Sequence, residues 1–549
     1  MEPYFIFTGS CVDFMSKKYY LTTAIDYVNG HPHLGHAYEK VVTDAIARVH
    51  QSFGESTFFL TGLDEHGQKV QKAATEQGLN PQDYCNDLAA SWKVFVDQLG
   101  LCHDDFVRTT QDRHREVVQK LLMRLHEEGH FYKATYQGYY SAKQETFLTE
   151  KDRGEDGAFD PLYGEVVELL EDNYYFKLGR HQQWLIEYIE SHPDFVTPEY
   201  RRNEVLGFLK NQTLEDLCIS RPQSRLSWGI PLPFDPDYVT YVWFDALTNY
   251  ASIPASMGDP ALPGFGKAPD KEAALWPADI HVIGKDILKF HAVYWPIMLK
   301  AAGFAMPRQI CVHGWWQKDG QKMSKSTGNV VDPIEVIEEW GVDAFRYYLL
   351  RELDIGPDGN WTDEGFHARY SAELANGLGN LINRSLAMLN RYRSGVVPAP
   401  CDELKPEVSE AVDEVLALAR SHRLQASLRR IWELIARVNQ FIDQTAPFKL
   451  AKDPSQSDRL DEILYTLVES CRVIGVLLHP FLPTTSKKIY EQLGLEVVPH
   501  LFEYGTWGGL TQGHQVCAPE PLFPRRDLPT KQESCGSAVL GPRDPDALT

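Results

Sequence analysis

Apolar positions along this chain recur in two rhythms, and the change from one to the other divides it. Residues 19–27 are rich in Thr, Ile and Tyr and run into Asn29-Gly30, the composition of a buried strand with its turn. From 34 to 50 the period lengthens, with Ala37, Val41, Ala45, Ile46 and Val49 at helical spacing. Residues 56–60 read as a second strand, leading into Thr61-Gly62-Leu63-Asp64-Glu65-His66-Gly67 and a helix from 68. Strand and helix in alternation, with polar residues at strand C-terminal ends, predict an α/β fold with a doubly wound parallel sheet and ligands above those ends. The rhythm breaks over 132–233, where aromatics, acids and turn residues predict an insertion. Strands resume at 238–244, 279–283 and 309–312, and Gly284-Lys285-Asp286 closes one of them before a helix to about 302. From 366 the pattern is almost entirely helical (369–391, 409–422, 424–444 and 457–478), with short connections and apolar stripes that predict a helix bundle.

A chain of 549 residues exceeds one hydrophobic core, which predicts about two to four domains. Hydrophobic content of 43%, charged content of 24% and the lack of any bilayer-length apolar run predict a globular protein without a membrane span. The net charge of −22 does not exclude a nucleic-acid partner, because local basic surface decides contact with phosphate. Nine cysteines without a C-x-x-C pair predict reduced thiols, a cytoplasmic location and no zinc site. The first eighteen residues hold only Lys17 and Lys18 as bases, unlike a transit peptide, and Met15 offers an alternative start.

Two stretches carry the chemistry. Lys322-Met323-Ser324-Lys325-Ser326 lies between Gly320 and Gly328, so two lysines share a glycine-flanked loop suited to closing on a polyphosphate. Far upstream, His33-Leu34-Gly35-His36 sets two imidazoles three residues apart at a strand-to-helix junction, where the helix N-terminus adds positive potential. Alone, the lysine stretch also reads as a solvated basic turn, and the two histidines read first as ordinary surface or core side chains. Together, in this order, they point to stabilisation of charge as a phosphorus–oxygen bond breaks.

These paired motifs resemble the two signatures of class I aminoacyl-tRNA synthetases, and within that class the methionyl-tRNA synthetases. The resemblance runs from about Tyr19 to Arg526 through residues 26–36, Tyr241-Val242-Trp243-Phe244-Asp245-Ala246, Gly284-Lys285-Asp286-Ile287, Phe290-His291, Trp295-Pro296 and Gly328-Asn329-Val330-Val331-Asp332-Pro333. It implies ATP-dependent activation of L-methionine to methionyl-adenylate, with pyrophosphate expelled, then transfer to methionine tRNA with AMP released. By resemblance His33 and His36 face the phosphates, and Lys322 and Lys325 clamp the leaving pyrophosphate. Gly35 lets the adenine approach, Gly284 and Asp286 meet the ribose, and Mg2+ arrives with ATP. The family's methionine pocket maps onto Ile25, Tyr27, Asp64, Trp243, Ala246, Tyr250, Ile287, His291 and Trp295, with Asp64 on the ammonium and Tyr250 offering its hydroxyl to the thioether. Ile287, His291 and Trp295, each four residues apart, are expected on one helical face. Asn380, Arg384 and Phe448 map onto the anticodon-reading face, where Phe448 stands in place of a more usual tryptophan.

The same resemblance assigns 19–131 and 234–310 to a Rossmann-like catalytic domain and 132–233 to an inserted connective domain. It assigns 311–365 to the lysine loop and linker, and 366–526 to an all-α anticodon-binding bundle. Residues 1–18 read as an N-terminal extension and 527–549 as a disordered tail. Three departures stand out. Asp26 occupies a place where an apolar or aromatic residue is usual, and Leu247-Thr248-Asn249 differs from the commonest pocket sequence. Ser141 and Gln144 take the places of two zinc-binding cysteines, so the insertion is expected to fold without metal. A monomer is expected, because relatives that dimerise carry a further β-barrel beyond the bundle. Competing readings are a leucine, isoleucine or valine enzyme, disfavoured by the short distance from His36 to Lys322, and an RNA-independent nucleotidyltransferase, which needs no bundle. A non-catalytic RNA-binding relative, which retains the fold and loses the signatures, is disfavoured because both signatures are intact.

Overall fold

The computed structural model describes residues 18–526 except 29, 142–145, 149, 155, 263, 266–274, 324–328 and 496–500. The stretch before residue 18, the 527–549 tail and Gln144 therefore lie outside the described residues.

A parallel sheet organises the first half. Lys18–Thr23 lies at its centre, with Ser56–Asp64 on one side and Ile280–Gly284 on the other. Asp105–Arg108 extends the first side; Gln309–His313 and then Val196–Thr197 extend the second. The direction of winding thus reverses at the first strand, which opens a crevice above the strand C-termini at that point. The first strand is also irregular. Its register with Ser56–Asp64 slips by one residue between the pairs Thr22↔Leu60 and Asp26↔Leu63, so the stretch Ala24-Ile25 bulges and Asp26–Tyr27 resumes the pairing.

Alternate residues of these strands enter two cores. Tyr19, Leu21, Phe59, Val282 and Cys311 face one side, and Tyr20, Leu60, Ile283, Ile310 and Val312 face the other. Strands buried on both faces explain why the sequence reads there as near-continuous apolar runs. The helix Leu34–Ser52 covers the first face, and its core continues without a break through Phe345 and Tyr347 into Ile382, Leu464 and Leu467 of the helical half. A buried ion pair between Asp44 of that helix and Arg346, 2.6 Å apart, reinforces the join, and Arg346 also donates to the Phe481 carbonyl. Helices Asp112–Glu127, Val242–Ser256 and Trp295–Ala302 cover the opposite face.

Three elements differ from the sequence expectation. The strand expected at 238–244 ends at Thr240 within Asp235–Thr240, and Val242, Trp243 and Phe244 begin a helix. That helix is buried on almost every side, and its first residues Val242, Trp243 and Phe244 form an apolar run too short to show a 3.6 period, while its polar Asp245, Thr248, Asn249 and Ser252 fall on one face. The helix expected from 369 to 391 is three joined pieces: Asp363–Arg369, a wider π-helical stretch over Tyr370–Gly379, and Asn380–Arg393. Finally, the 132–233 segment contributes Val196–Thr197 to the large sheet; it also holds helices Gln182–Ser191 and Glu199–Asn211 and an antiparallel sheet of Phe131–Ser141, Thr146–Leu148, Val166–Phe176 and Leu217–Cys218. Ser141 is buried there and its hydroxyl donates to the Tyr163 carbonyl at 2.6 Å. Helices Lys405–Arg420, Leu424–Thr445, Ser457–Leu478 and Pro483–Gln492 complete the bundle. No helix among the described residues is long and apolar enough to cross a membrane.

Candidate active site

The crevice at the reversal of the sheet gathers most of the residues singled out in the sequence. His33 is the N-cap of Leu34–Ser52, and its Nδ1 accepts the Gly35 N–H at 3.1 Å. Its own N–H donates to His36 Nδ1 at 3.2 Å, so two imidazoles perform the reciprocal capping usually done by Ser and Glu. The rings stack with centroids 3.7 Å apart. Because each Nδ1 accepts, the proton of each neutral ring resides on Nε2. A Cβ at position 35 would come within 3.0 Å of His33 Cε1, so glycine is what lets the His33 ring fold over the helix start.

Across the crevice, Gly284 ends its strand beside Asp286, whose Oδ1 accepts the Trp315 indole N–H at 3.1 Å. A Cβ at Gly284 would meet Asp286 Oδ1 at 2.7 Å, so a larger residue there would have to displace the Asp286 carboxylate. Lys285 forms an ion pair with Asp358 at 2.7 Å and lies over the Trp315 ring. Tyr27 and Asp64 are register partners at adjoining strand ends, and the Val28 N–H donates to the Asp64 carbonyl at 3.0 Å. Of the lysine loop, the Lys322 backbone pairs within Gln321–Lys322, while the Lys322 side chain and residues 324–328, Lys325 included, lie outside the described residues.

An aromatic pocket wall stands beside this opening. Tyr250 O–H donates to His291 Nε2 at 2.7 Å, and His291 Nδ1–H donates to the Ile287 carbonyl at 2.9 Å. A carbonyl can only accept, so this chain of bonds fixes the tautomer and aims the Tyr250 proton at His291. The donation to a thioether expected of Tyr250 therefore competes with an internal partner. Burial pushes His291 down to about 4, so it is neutral near pH 7. Trp243 stacks on Phe290 at 3.7 Å and meets His291 edge-on. Trp295 is fully buried; it packs edge-on to Tyr250 and donates its indole N–H to His281 at 3.3 Å. Ile287, His291 and Trp295 lie on a 3-10 turn, a π-helical stretch and an α-helix in succession, yet His291 and Trp295 both meet Tyr250. Ala246 is buried on the same helix as Trp243 and Tyr250, and Ile25 is half-buried against the core that the helix covers.

A buried polar cluster not singled out in the sequence holds this wall in place. Asp245 accepts from His66 and from His114, both at 2.6 Å, and His114 bonds the Ser252 hydroxyl at 2.8 Å. Burial alone would raise the Asp245 carboxyl, but the two imidazoles hold it down at about 2. His66 lies two residues after Asp64 at the strand end, so the cluster ties the Asp64 loop to the helix carrying Trp243, Ala246 and Tyr250. One local signal was available: Asp245 is a lone carboxylate inside an apolar run.

On the helical half, Asn380 opens the helix after the π-helical stretch, and Arg384 pairs with Asp443 at 3.0 Å. Phe448 lies just beyond the end of Leu424–Thr445 and is 45% exposed, unusual for a large aromatic in a packed bundle. Arg384 and Phe448 thus stand near one end of the bundle.

The comparisons agree with this geometry. A family model described as tRNA synthetases class I (M) matches residues 19–155 and 162–386. One described as the anticodon binding domain of methionyl tRNA ligase matches 401–532. The chain is 42% identical over 526 residues to methionine–tRNA ligase of Caldanaerobacter subterraneus subsp. tengcongensis, across 94% of this chain and 80% of that protein. The Bacillus subtilis methionine–tRNA ligase is 41% identical over 530 residues, across 93% of this chain and 78% of its own length. Mycobacterium tuberculosis methionyl-tRNA synthetase in complex with methionyl-adenylate superposes with a TM-score of 0.85 at 37% identity, covering 93% of this chain and all of that one. With a catalytic family model and an anticodon-domain model together spanning nearly its whole length, the chain belongs to the methionyl-tRNA synthetases, class I ligases that use ATP to join methionine to its tRNA.

Proposed function

We propose that this methionyl-tRNA synthetase activates methionine in the crevice above the first strand and reads its tRNA with the far end of the bundle. His33, His36, Lys322 and Lys325 stabilise the charge that develops as pyrophosphate leaves the α-phosphate, and neither step needs a protein nucleophile. Gly35, Gly284 and Asp286 receive the adenosine, and Mg2+ accompanies ATP. Asp64 pairs with the methionine ammonium. Ile25, Tyr27, Trp243, Ala246, Tyr250, Ile287, His291 and Trp295 surround the thioether side chain, whose sulfur packs well against aromatic rings. His291 is neutral there, so the pocket stays uncharged toward an apolar side chain. Asn380, Arg384 and Phe448 meet the anticodon. Residues 19–131 and 234–310 carry catalysis together with the lysine loop of 311–365, and 366–526 carry tRNA recognition.

The observation that carries this reading is the common opening of the stacked His33–His36 pair, the Gly284 turn and the Tyr250–His291 wall at one reversal of the sheet. The cytoplasmic assignment rests on the scattered cysteines. A zinc-free insertion is favoured by Ser141, whose hydroxyl is already engaged by a carbonyl; elemental analysis finding one tightly held zinc per chain would overturn it. The decisive assay is ATP–pyrophosphate exchange with methionine, leucine and isoleucine. Exchange is expected with methionine and not with the others, and equal exchange with leucine would reject the pocket, since apolar pockets discriminate by roughly 1–3 kcal/mol per methylene.

A further inference from the structure

Asp26 lies within a run of apolar and aromatic residues, at the point where the first strand resumes after its bulge. Its side chain is buried, and one carboxylate oxygen forms an ion pair with the ammonium of Lys40, which is itself fully buried against the Trp92 ring. Lys40 lies one helical turn beyond His36 on Leu34–Ser52. The other oxygen, Oδ1, is 3.8 Å from His36 Nε2. His36 is held from three further directions: its Nδ1 accepts the His33 N–H, its face stacks on His33, and its ring meets Trp92 edge-on at 4.9 Å. With Nδ1 accepting, the proton of a neutral His36 is on Nε2, turned to Asp26.

A buried ion pair brings little stability over an apolar pair of similar volume, because desolvation offsets the attraction. Stability therefore does not account for a carboxylate and an ammonium placed directly beneath a histidine of the nucleotide site. We propose that Asp26 is a positioning residue for adenylate formation: its carboxylate attracts the Nε2–H that the His33 N–H has already set and so holds the His36 ring plane, and Lys40 holds that carboxylate in place. The inference rests on the reading that His36 faces the phosphates.

The titratable and charged groups around Asp26 are Lys40, His36 and Glu39 on the helix, His313 bonded to Glu39 from the neighbouring strand, and Tyr250 across the pocket. Burial pushes the Asp26 carboxyl up to about 7, against the pull of Lys40. The carboxylate is thus lost as pH falls through about 7, and kcat for ATP–pyrophosphate exchange should decline on that acid side.

The experiment compares wild type with Asp26→Asn, Lys40→Met, the double variant and His36→Ala, reading kcat, the KM for methionine, the pH profile and Tm. Asp26→Asn leaves the Lys40 ammonium buried without its carboxylate, so both Tm and kcat should drop. The double variant removes both charges and should regain Tm, yet keep kcat roughly tenfold to a hundredfold low, the scale of a misplaced reacting group. Its KM for methionine should stay within about twofold of wild type, and its acid limb near pH 7 should be gone. Recovery of kcat along with Tm in the double variant would overturn the role of Asp26, provided His36→Ala is impaired. Wild-type kcat in His36→Ala would overturn the assignment of His36 itself, and this inference with it.

Discussion

Behind the strand C-termini a set of polar side chains is buried and bonded to one another, whereas Arg384, Asp443 and Phe448 at the end of the helix bundle are partly or largely in solvent. Asp245 sits between His66 and His114 with no exposure, and Tyr250, His291 and the Ile287 carbonyl form a closed chain. Arg384 and Asp443 are 33% and 68% exposed, and Phe448 presents nearly half its surface to water. The contrast matches the ligands proposed for the two regions. A small molecule turned over through a charged transition state needs donors already fixed in place. Bases splayed from an RNA loop are met by stacking faces and planar donors that stay reachable and adaptable.

If that division is right, a change in one region should leave the other's step intact. Lys325→Ala should show the largest effect. A charge used mainly in the transition state lowers the rate constant with little effect on ground-state binding, so adenylate formation should slow by on the order of a hundredfold or more. Methionine affinity by equilibrium dialysis should be nearly unchanged. Unaltered single-turnover adenylate formation would mean that the loop is a solvated turn.

The converse test uses the bundle. Phe448→Ala should weaken tRNA charging by roughly 1–3 kcal/mol if a base stacks on it, and Phe448→Trp should be tolerated. Arg384→Ala removes a planar donor fork and should also reduce charging strongly. Adenylate formation should remain close to wild type in all three. A parallel fall in both steps would show that these residues support the fold, and the separation between the regions would fail.

Within the pocket the comparison sharpens through pH. Burial lowers His291 from its ordinary value to about 4, so the unfolded chain binds its proton more readily than the folded one. Its contribution to stability is therefore fully present above about pH 6.5 and is lost as pH falls from there through about 4. Between pH 6 and 8 the KM for methionine should vary by no more than about twofold, because the ring does not titrate in that window. A KM rising steadily from pH 8 to 6 would mean that His291 charges in the working range and that the wall is wetter than its burial implies.

How much of this was readable beforehand depends on whether the signal is local. The His33–His36 junction, the Gly284 turn and the lysine loop are punctuated by glycine beside polar residues at strand ends, and the parallel sheet followed from alternation. The cluster of Asp245 with His66 and His114 joins residues 179 and 131 positions apart, and no spacing rule reports such a contact. The helix Val242–Ser256 passed for a strand at its start because Val242, Trp243 and Phe244 are a short apolar run; its helical signal is the polar stripe of Asp245, Thr248, Asn249 and Ser252 further on. The π-helical stretch at Tyr370–Gly379 leaves a helical pattern locally unchanged, so only coordinates reveal the wider turn just before Asn380. The anticodon role proposed for Asn380, Arg384 and Phe448 comes from family resemblance alone, since an Arg, an Asn and a Phe near a bundle end have no pattern of their own.

The smallest expected effect concerns Asp443, and it separates two accounts of Arg384. The carboxylate lies in the last turn of Leu424–Thr445, where the helix dipole disfavours negative charge, and it holds Arg384 Nη2 at 3.0 Å. Exposed pairs of this kind contribute between about 0 and 1 kcal/mol, and the dipole works against even that. Asp443→Ala should therefore change the denaturation free energy by less than about 0.5 kcal/mol and leave adenylate formation untouched. Its effect on charging depends on what Arg384 does. If the guanidinium meets the anticodon, it must exchange the carboxylate for base edges, and removing Asp443 should leave charging unchanged or slightly faster. If charging instead collapses as far as in Arg384→Ala, the ion pair itself shapes the surface, and the arginine does not reach the RNA. Initial charging rates for the two variants at one salt concentration, with the unfolding midpoint as control, decide between them.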